Sequence, residues 1–203
     1  MMRLLKPFLK LPKSLNNIRF SLNKNNYNSV NLYFQDESRF GLLTHVGSSI
    51  TAKGVRPIVK YQHRFSNTYL YGSYSPIDGD SFVYEINGVS CSIFAAYLNA
   101  LSKHRPNEAK ILVIDNAGFH STKNISIPNN IILLRIPPYS PELNPCEQVW
   151  AWIKKRYKNH IFEDMESLKT WLHQMVISMS KQTIKSIVGN HHFLNAFNAA
   201  FST

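Results

Sequence analysis

Three carboxylate residues occupy positions in the sequence that are typical of catalytic groups. Asp36 and Asp115 each close a short run of mainly apolar or aromatic residues, and Glu147 follows Pro145 at the start of a helical pattern. In open α/β sheets, functional groups collect at the carboxyl ends of strands, so neighbouring strands would present both aspartates at one edge. Each residue also has a structural explanation, the aspartates as turn residues and the glutamate as part of a helix cap with Asn144.

The chemistry that these carboxylates favour is phosphoryl transfer assisted by a hard cation. The only cysteines, Cys91 and Cys146, are far apart and offer neither a disulfide framework nor a zinc site. Mg²⁺ prefers oxygen ligands and is held by a few carboxylates together with substrate phosphates. Two such ions about 3.5 to 4 Å apart clamp the attacking and leaving oxygens of an in-line displacement.

The charge balance indicates a polyanionic partner. The 203-residue chain has 23 Lys and Arg against 12 Asp and Glu, a net charge of +11. Lysine and arginine set against phosphates release condensed counterions, although a merely soluble basic protein has the same balance. No apolar run reaches the roughly 18 residues of a membrane-spanning helix, and lysine and proline interrupt the apolar opening, so a cytoplasmic location is expected.

The carboxylates need a sheet flanked by helices to bring them together. The pattern predicts strands at 31–36, 41–46, 55–61, 68–74, 81–86, 110–115 and 131–136, and helices at 92–104, 145–158, 165–180 and 183–201 with a break near Gly189. This order predicts one α/β domain with a mixed sheet over residues 31–203. Residues 1–30 are basic and contain no acid, which predicts a poorly ordered arm that either contacts DNA or is simply solvated.

The predicted helix that carries Glu147 has two different faces. Glu147, Ala151, Lys154 and Lys158 share one stripe at about four-residue spacing, and apolar residues between them can face the core. A glutamate and two lysines that look outward together favour a catalytic role for Glu147. Lys154 and Lys158 are candidate DNA contacts, and a solvated face is the alternative.

Three stretches of this chain match motifs of a known family. They are Tyr33-Phe-Gln-Asp-Glu-Ser-Arg-Phe-Gly41, Val113-Ile-Asp-Asn-Ala-Gly-Phe-His120 and Pro137-Pro-Tyr-Ser-Pro-Glu-Leu-Asn-Pro-Cys-Glu-Gln-Val-Trp150. They resemble the DDE transposases of the mariner superfamily, in particular the bacterial insertion-sequence enzymes. The likeness covers residues 31–157 and, more loosely, the helices beyond. It implies a ribonuclease-H-like fold with a C-terminal helical extension.

The resemblance also implies an activity. Such an enzyme nicks DNA at transposon ends and joins the freed 3′ hydroxyl to target DNA, which achieves DNA transposition, recombination and integration. Asp36, Asp115 and Glu147 would hold two Mg²⁺ ions, for which Mn²⁺ can substitute, with Asp36 bridging both. The enzyme would act as a homo-oligomer on DNA in the bacterial cytosol, at the nucleoid.

Two residues beside Asp115 gain expected roles from the same motif. Asn116 is a candidate partner that orients the Asp115 carboxylate. His120 either lies near the metals or is a loop histidine that packs and bonds to backbone. In the third motif, Asn144 and Pro145 are expected to start the helix that places Glu147.

The sequence departs from the family pattern in three places. Glu147 follows Asp115 by 32 residues, which is slightly short, and residues 48–54 lack an expected tryptophan. Nothing before Asn31 resembles the helix-turn-helix region that reads transposon ends. A separate or upstream-encoded helix-turn-helix half is therefore expected. The alternatives are an idle remnant that only binds DNA non-specifically and a nuclease of the same fold that hydrolyses without joining.

Overall fold

A mixed sheet with helices on both faces forms the core of the computed structural model. The structure describes residues 11–22, 27–45, 47, 50–58, 60–120, 125–137 and 143–201. The strands are β1 (Ser29–Gly41), β2 (Asn67–Tyr74), β3 (Ser81–Ile86), β4 (Glu108–Ile114) and β5 (Ile131–Arg135). The helices are α1 (Leu11–Ser21), α2 (Cys91–Lys103), α3 (Cys146–Tyr157), α4 (Met165–Ser178), α5 (Lys181–Val188) and α6 (His191–Phe201), with a 3-10 turn at Gly118–His120. Among these residues, no helix is long and apolar enough to span a membrane.

The strand order is β3-β2-β1-β4-β5. Strands β1, β2 and β3 are antiparallel neighbours, whereas β4 pairs parallel to β1 and β5 parallel to β4. Parallel neighbours need a crossover connection, and α2 supplies it between β3 and β4. The result is that β1 and β4, the strands that lead to the two aspartates, lie side by side and point the same way.

Alternate residues of β1 enter two separate cores. Leu32 and Phe34 pack with the C-terminal helices, whereas Tyr33 packs with α2 on the opposite face. The same alternation holds for β4, where Ile111 and Val113 share the face of Leu32 and Phe34. Because side chains alternate along a strand, the side chains of Asp36 and Asp115 lie on this same face, the one that carries the C-terminal helices.

The N-terminal region differs from the predicted disordered arm. Residues 11–21 form helix α1, whose Leu15 is fully buried and whose Leu11 and Ile18 pack against the core beside α6. These three apolar residues recur at three- to four-residue spacing and so form one apolar face. The helix covers part of the sheet with this face, although its sequence contains no acidic residue. Residues 1–10 and 23–26 lie outside the described residues.

Two predicted strands are wrong. Residues 42–45 leave the sheet after β1, which ends at Gly41, and the described part of 55–61 has no regular structure. The β-branched residues Val55 and Ile58 are exposed, because no sheet face packs against their side chains. The other strands and helices are confirmed within a few residues, including the break at Gly189 between α5 and α6.

Candidate active site

The two aspartates lie at the same level on neighbouring parallel strands. The β1–β4 register pairs Phe34 with Val113, and Asp36 and Asp115 each follow two residues later. Both aspartates therefore project from the face that carries the C-terminal helices. They are close enough for the charge of Asp115 to raise the pKa of Asp36.

Asp36 is a half-buried carboxylate whose charge is only partly compensated. Its pKa is raised to about 7, mainly by burial and further by repulsion from Glu37 and Asp115, whereas hydrogen bonds from the Glu37 backbone and from Trp150 lower it. The indole Nε1 of Trp150 donates to Oδ2 of Asp36 over 3.0 Å. Gly72, opposite Asp36 on β2, makes room for this ring, because a Cβ atom there would lie 2.7 Å from the indole.

Asp115 belongs to a chain of hydrogen bonds that crosses the sheet edge. Nδ1 of the buried His120 lies 2.7 Å from Oδ1 of Asp115, and its Nε2 lies 3.0 Å from Oε1 of Glu37. Burial opposes a charge on His120, but its bonds to Glu37 and the two carboxylate charges outweigh burial and raise its pKa. The backbone N–H of Ala117 also donates to Asp115 Oδ1. These contacts hold the Asp115 carboxylate in one orientation.

The start of helix α3 is fastened to β1 beside Asp36. Nδ2 of Asn144 donates to the carbonyl of Gln35 over 2.9 Å, and the thiol of Cys146 donates to the carbonyl of Phe34 over 3.0 Å. The helix cap is Pro145, which makes no side-chain cap bond. Glu147 stands exposed in the first turn of the helix. These bonds place the first turn of the helix, to which Glu147 belongs, beside the segment of β1 that precedes Asp36.

The donor set suits a hard divalent cation, although it is not assembled as a closed metal cage. Among the described residues, no three His, Cys, Asp or Glu side chains are placed to hold one ion. Carboxylate oxygens are the ligands that Mg²⁺ prefers, and Mg²⁺ keeps waters and substrate oxygens in its shell. The only partly compensated charge on Asp36 fits such an ion, because a nearby cation would oppose the repulsion from Glu37 and Asp115.

The predicted stripe on α3 is exposed, with Lys154 closest to the carboxylates. Nζ of Lys154 lies 5.7 Å from the centre of the Phe40 ring, and the charge of Asp36 raises its pKa while burial, the larger effect, lowers it. Lys158 is exposed at the end of the helix. Asn116 donates to the carbonyl of Ile136 and so joins the loop after β4 to the end of β5. Its predicted contact with Asp115 stays a prediction.

Sequence reasoning missed three residues of this site. Trp150 is the last residue of the third motif, to which the sequence assigned no role in binding or catalysis, and it donates to Asp36. Glu37 faces away from Asp36 on the strand and reaches His120, and Gln35 bonds to Glu37 over 2.7 Å. The sequence contained a signal for Glu37, which directly follows Asp36 in a chain with few acids. Successive side chains of a strand point to opposite faces, so the two carboxylates had to find separate partners.

The chain belongs to the DDE superfamily endonucleases, whose family model matches residues 31–169. These residues include all three carboxylates and the five strands from Asn31 onward. A second relative is an uncharacterized protein, y4pE/y4sA, of Sinorhizobium fredii, which is 43% identical over 61 residues. That alignment covers 30% of this chain and 45% of the relative.

The fold is the ribonuclease-H-like fold of the Mos1 mariner transposase. The Mos1 paired-end complex with the left transposon end matches at a TM-score of 0.64 and 15% identity over 98% of this chain. A Mos1 strand transfer complex matches at a TM-score of 0.61 and 14% identity, also over 98%. The chain spans 63% of the length of the first of these proteins and 62% of the second.

Proposed function

We propose that this chain is the catalytic domain of a DNA transposase that nicks DNA and transfers strands with divalent metal ions. The observation that carries the proposal is the position of Asp36 and Asp115, level with each other on adjacent parallel strands, beside a helix start that presents Glu147. Mos1 structures of the same fold are described as paired-end complexes with Mn and with Mg. That description supports divalent metals here.

The three carboxylates would hold the metals, with Asp36 and Asp115 fixed and Glu147 adjustable. His120 and the Ala117 N–H orient Asp115, and Trp150 orients Asp36. Glu147 is exposed, so its carboxylate can turn inward without displacing packed groups. When bound, the ions would activate water or a 3′ hydroxyl and neutralise the charge that develops on the phosphate.

The α3 surface would contact the DNA backbone. Lys154 lies within electrostatic reach of Asp36, and Lys155, Arg156 and Lys158 continue the positive charge toward the C-terminal end of the helix. Phosphates beside the carboxylates would meet these cations. Such a substrate would place the protein at the nucleoid of the bacterial cytosol. A homo-oligomer on DNA and a helix-turn-helix partner stay predictions of the sequence resemblance.

A cleavage assay with matched glutamates tests the role of Glu147. Glu147 and Glu166 are both the second residue of their helices, so Glu→Gln at either removes the same favourable interaction with the helix N-terminus, about 0.3 to 1 kcal/mol. Plasmid nicking in Mg²⁺ or Mn²⁺ is expected to be abolished by Glu147→Gln and retained by Glu166→Gln.

The same assay tests the metal-holding pair. Asp115→Asn is expected to abolish nicking and the formation of strand-transfer joints, while the protein still folds. Nicking that survives Asp115→Asn would exclude the proposed site. DNA binding by the unmodified chain without any metal-dependent cleavage would instead favour an idle remnant, and cleavage without joints would favour a simple nuclease.

A further inference from the structure

An exposed row of aromatic rings lies on the connection between β1 and β2. The rings belong to Tyr61, His63 and Phe65, which we call the aromatic ladder. Tyr61 is 60% exposed and Phe65 is 71% exposed. The three residues alternate along the chain, and each ring centre lies within 6.2 Å of the next ring centre. The ladder therefore presents one continuous aromatic edge to solvent.

The residues between the rings fasten this segment to the body of the protein. The backbone N–H of Gln62 donates to Oγ1 of Thr44 over 2.8 Å, and its Nε2 donates to the carbonyl of Phe162 over 2.9 Å. Arg64 donates to the carbonyl of Glu163 over 2.6 Å. With this side held down, the rings stay directed outward, so a partner would meet them already arranged.

The spacing of the rings suits planar ligands. The centres of the Tyr61 and His63 rings are 6.2 Å apart and the ring planes differ by 25°, while His63 and Phe65 are 4.7 Å apart and edge-on. A separation of 6.2 Å is close to twice the roughly 3.4 Å rise between stacked bases of a DNA strand. The outer faces of Tyr61 and Phe65 are also open to stacking.

The charge around the ladder fits a polyanion. No acid occurs between Glu37 and Asp78, whereas Lys53, Arg56 and Lys60 lie in the segment that leads to the ladder and are exposed. Rings with adjacent cations are the combination that binds single strands, because bases stack on the rings while lysine and arginine meet the phosphates. Duplex DNA hides its base faces and cannot use the rings in this way.

We propose that the aromatic ladder binds an unpaired DNA strand, with bases stacked on Tyr61 and Phe65 and phosphates against Lys60 and Arg56. The proposal rests on the proposed function for the identity of the ligand, since cutting and joining DNA exposes unpaired ends. The ladder runs directly into β2, which pairs with the strand that carries Asp36, and the N–H of Leu42 donates to the carbonyl of Ser66 between the two. A DNA strand on the ladder would therefore lie beyond the carboxylate edge, on the side toward which β1 continues.

The test compares single-stranded and duplex DNA in EDTA, where no cleavage occurs. Two fluorescein-labelled DNAs are used, a 15-nucleotide oligo(dT) and a duplex of equal length. Each is titrated with the unmodified chain and with a variant that combines Tyr61→Ala, His63→Ala and Phe65→Ala. Affinity for oligo(dT) is expected to fall at least about 25-fold, since each of the two stacked rings, Tyr61 and Phe65, contributes about fivefold or more. Affinity for the duplex is expected to change less than about threefold.

Two further variants control the result. Tyr84→Ala removes a half-exposed ring on β3 beside Glu85 and is expected to leave oligo(dT) binding unchanged. Tyr61→Trp keeps a stacking face, so it should retain affinity, and its indole fluorescence should be quenched by oligo(dT) but not by the duplex. Retained affinity with no quenching would show that the ladder is not the stacking surface.

Other outcomes overturn the proposal. Equal losses on both DNAs would show that the ladder does not select unpaired strands, and unchanged oligo(dT) binding would exclude the ladder. If sedimentation shows that the unmodified chain self-associates and the triple variant is monomeric, with oligo(dT) binding intact, the ladder is a protein interface. Asp115→Asn separates this proposal from the proposed function: it should stop cleavage while leaving oligo(dT) binding unaltered.

Discussion

Removing the side chain that fastens α3 to β1 should cost both stability and activity. Asn144 is 7% exposed, its Nδ2 donates to the Gln35 carbonyl over 2.9 Å, and its Oδ1 accepts from the N–H of Cys146 over 3.2 Å. Asn144→Ala deletes both bonds and leaves a buried acceptor and a buried donor. A buried hydrogen bond contributes about 0.5 to 1.5 kcal/mol and an orphaned group costs more, so the loss is about 2 to 3 kcal/mol.

The expected size can be measured by thermal unfolding. For a domain of about 200 residues, each kcal/mol lowers Tm by roughly 2 to 4 °C, so Asn144→Ala should lower Tm by about 4 to 12 °C. Asn198→Ala is the matched control, because Asn198 is exposed on α6, where alanine is the better helix former. That variant should unfold at the temperature of the unmodified chain or slightly above it.

Activity should fall by more than the lost stability explains. At a temperature where both proteins are folded, misplacement of Glu147 by about 1 Å should lower the nicking rate by about 10- to 100-fold. The assay is plasmid nicking in Mn²⁺ with folding checked by circular dichroism. An Asn144→Ala protein that melts within 1 °C of the unmodified chain, or that cuts DNA at its rate, would refute the positioning argument.

Three further predictions concern the surroundings of the carboxylates and a polar cluster at the opposite end of the strands. Trp150→Phe removes the indole donor to Asp36, a bond that lowers the pKa of Asp36. In this variant the pKa of Asp36 should therefore rise above about 7, and Mn²⁺ binding measured by calorimetry should require a higher pH. Gly72→Ala places a Cβ 2.7 Å from Trp150 and should cost about 1 to 3 kcal/mol in chemical denaturation, whereas Gly118→Ala, with nothing within 4 Å, should cost much less. Burial raises the pKa of Asp78, but hydrogen bonds from Arg105, the Asp80 N–H and Asn31 outweigh burial and lower this pKa to about 2. The stability from these contacts should therefore be complete above about pH 4 and be lost as pH falls toward 2. Asp78 and Arg105 are each about a third exposed, so the loss in urea denaturation should stay below about 1 kcal/mol and be smaller in Arg105→Leu.

Helix α1 and the exposed stretch that precedes the aromatic ladder show where prediction from the sequence pattern fails. Acid-free, Asn-rich sequence predicted disorder, but Leu11, Leu15 and Ile18 form an apolar stripe that is stable because α6 is there to cover it. Conversely, Val55 and Ile58 have strand propensity yet stay exposed. Propensity is local, whereas the availability of a packing partner depends on residues far along the chain.

The sequence by itself predicted most elements of the sheet, the C-terminal helices and the three carboxylates as candidates for the site. These follow from local signals: apolar runs that end in aspartate, and a proline-marked helix start before Glu147. Only the tertiary structure decided that β1 and β4 are parallel neighbours, that Trp150 donates to Asp36 and that His120 joins Asp115 to Glu37. Contacts between residues 83 to 114 positions apart depend on how the sheet and helices pack together, and no local pattern encodes that packing.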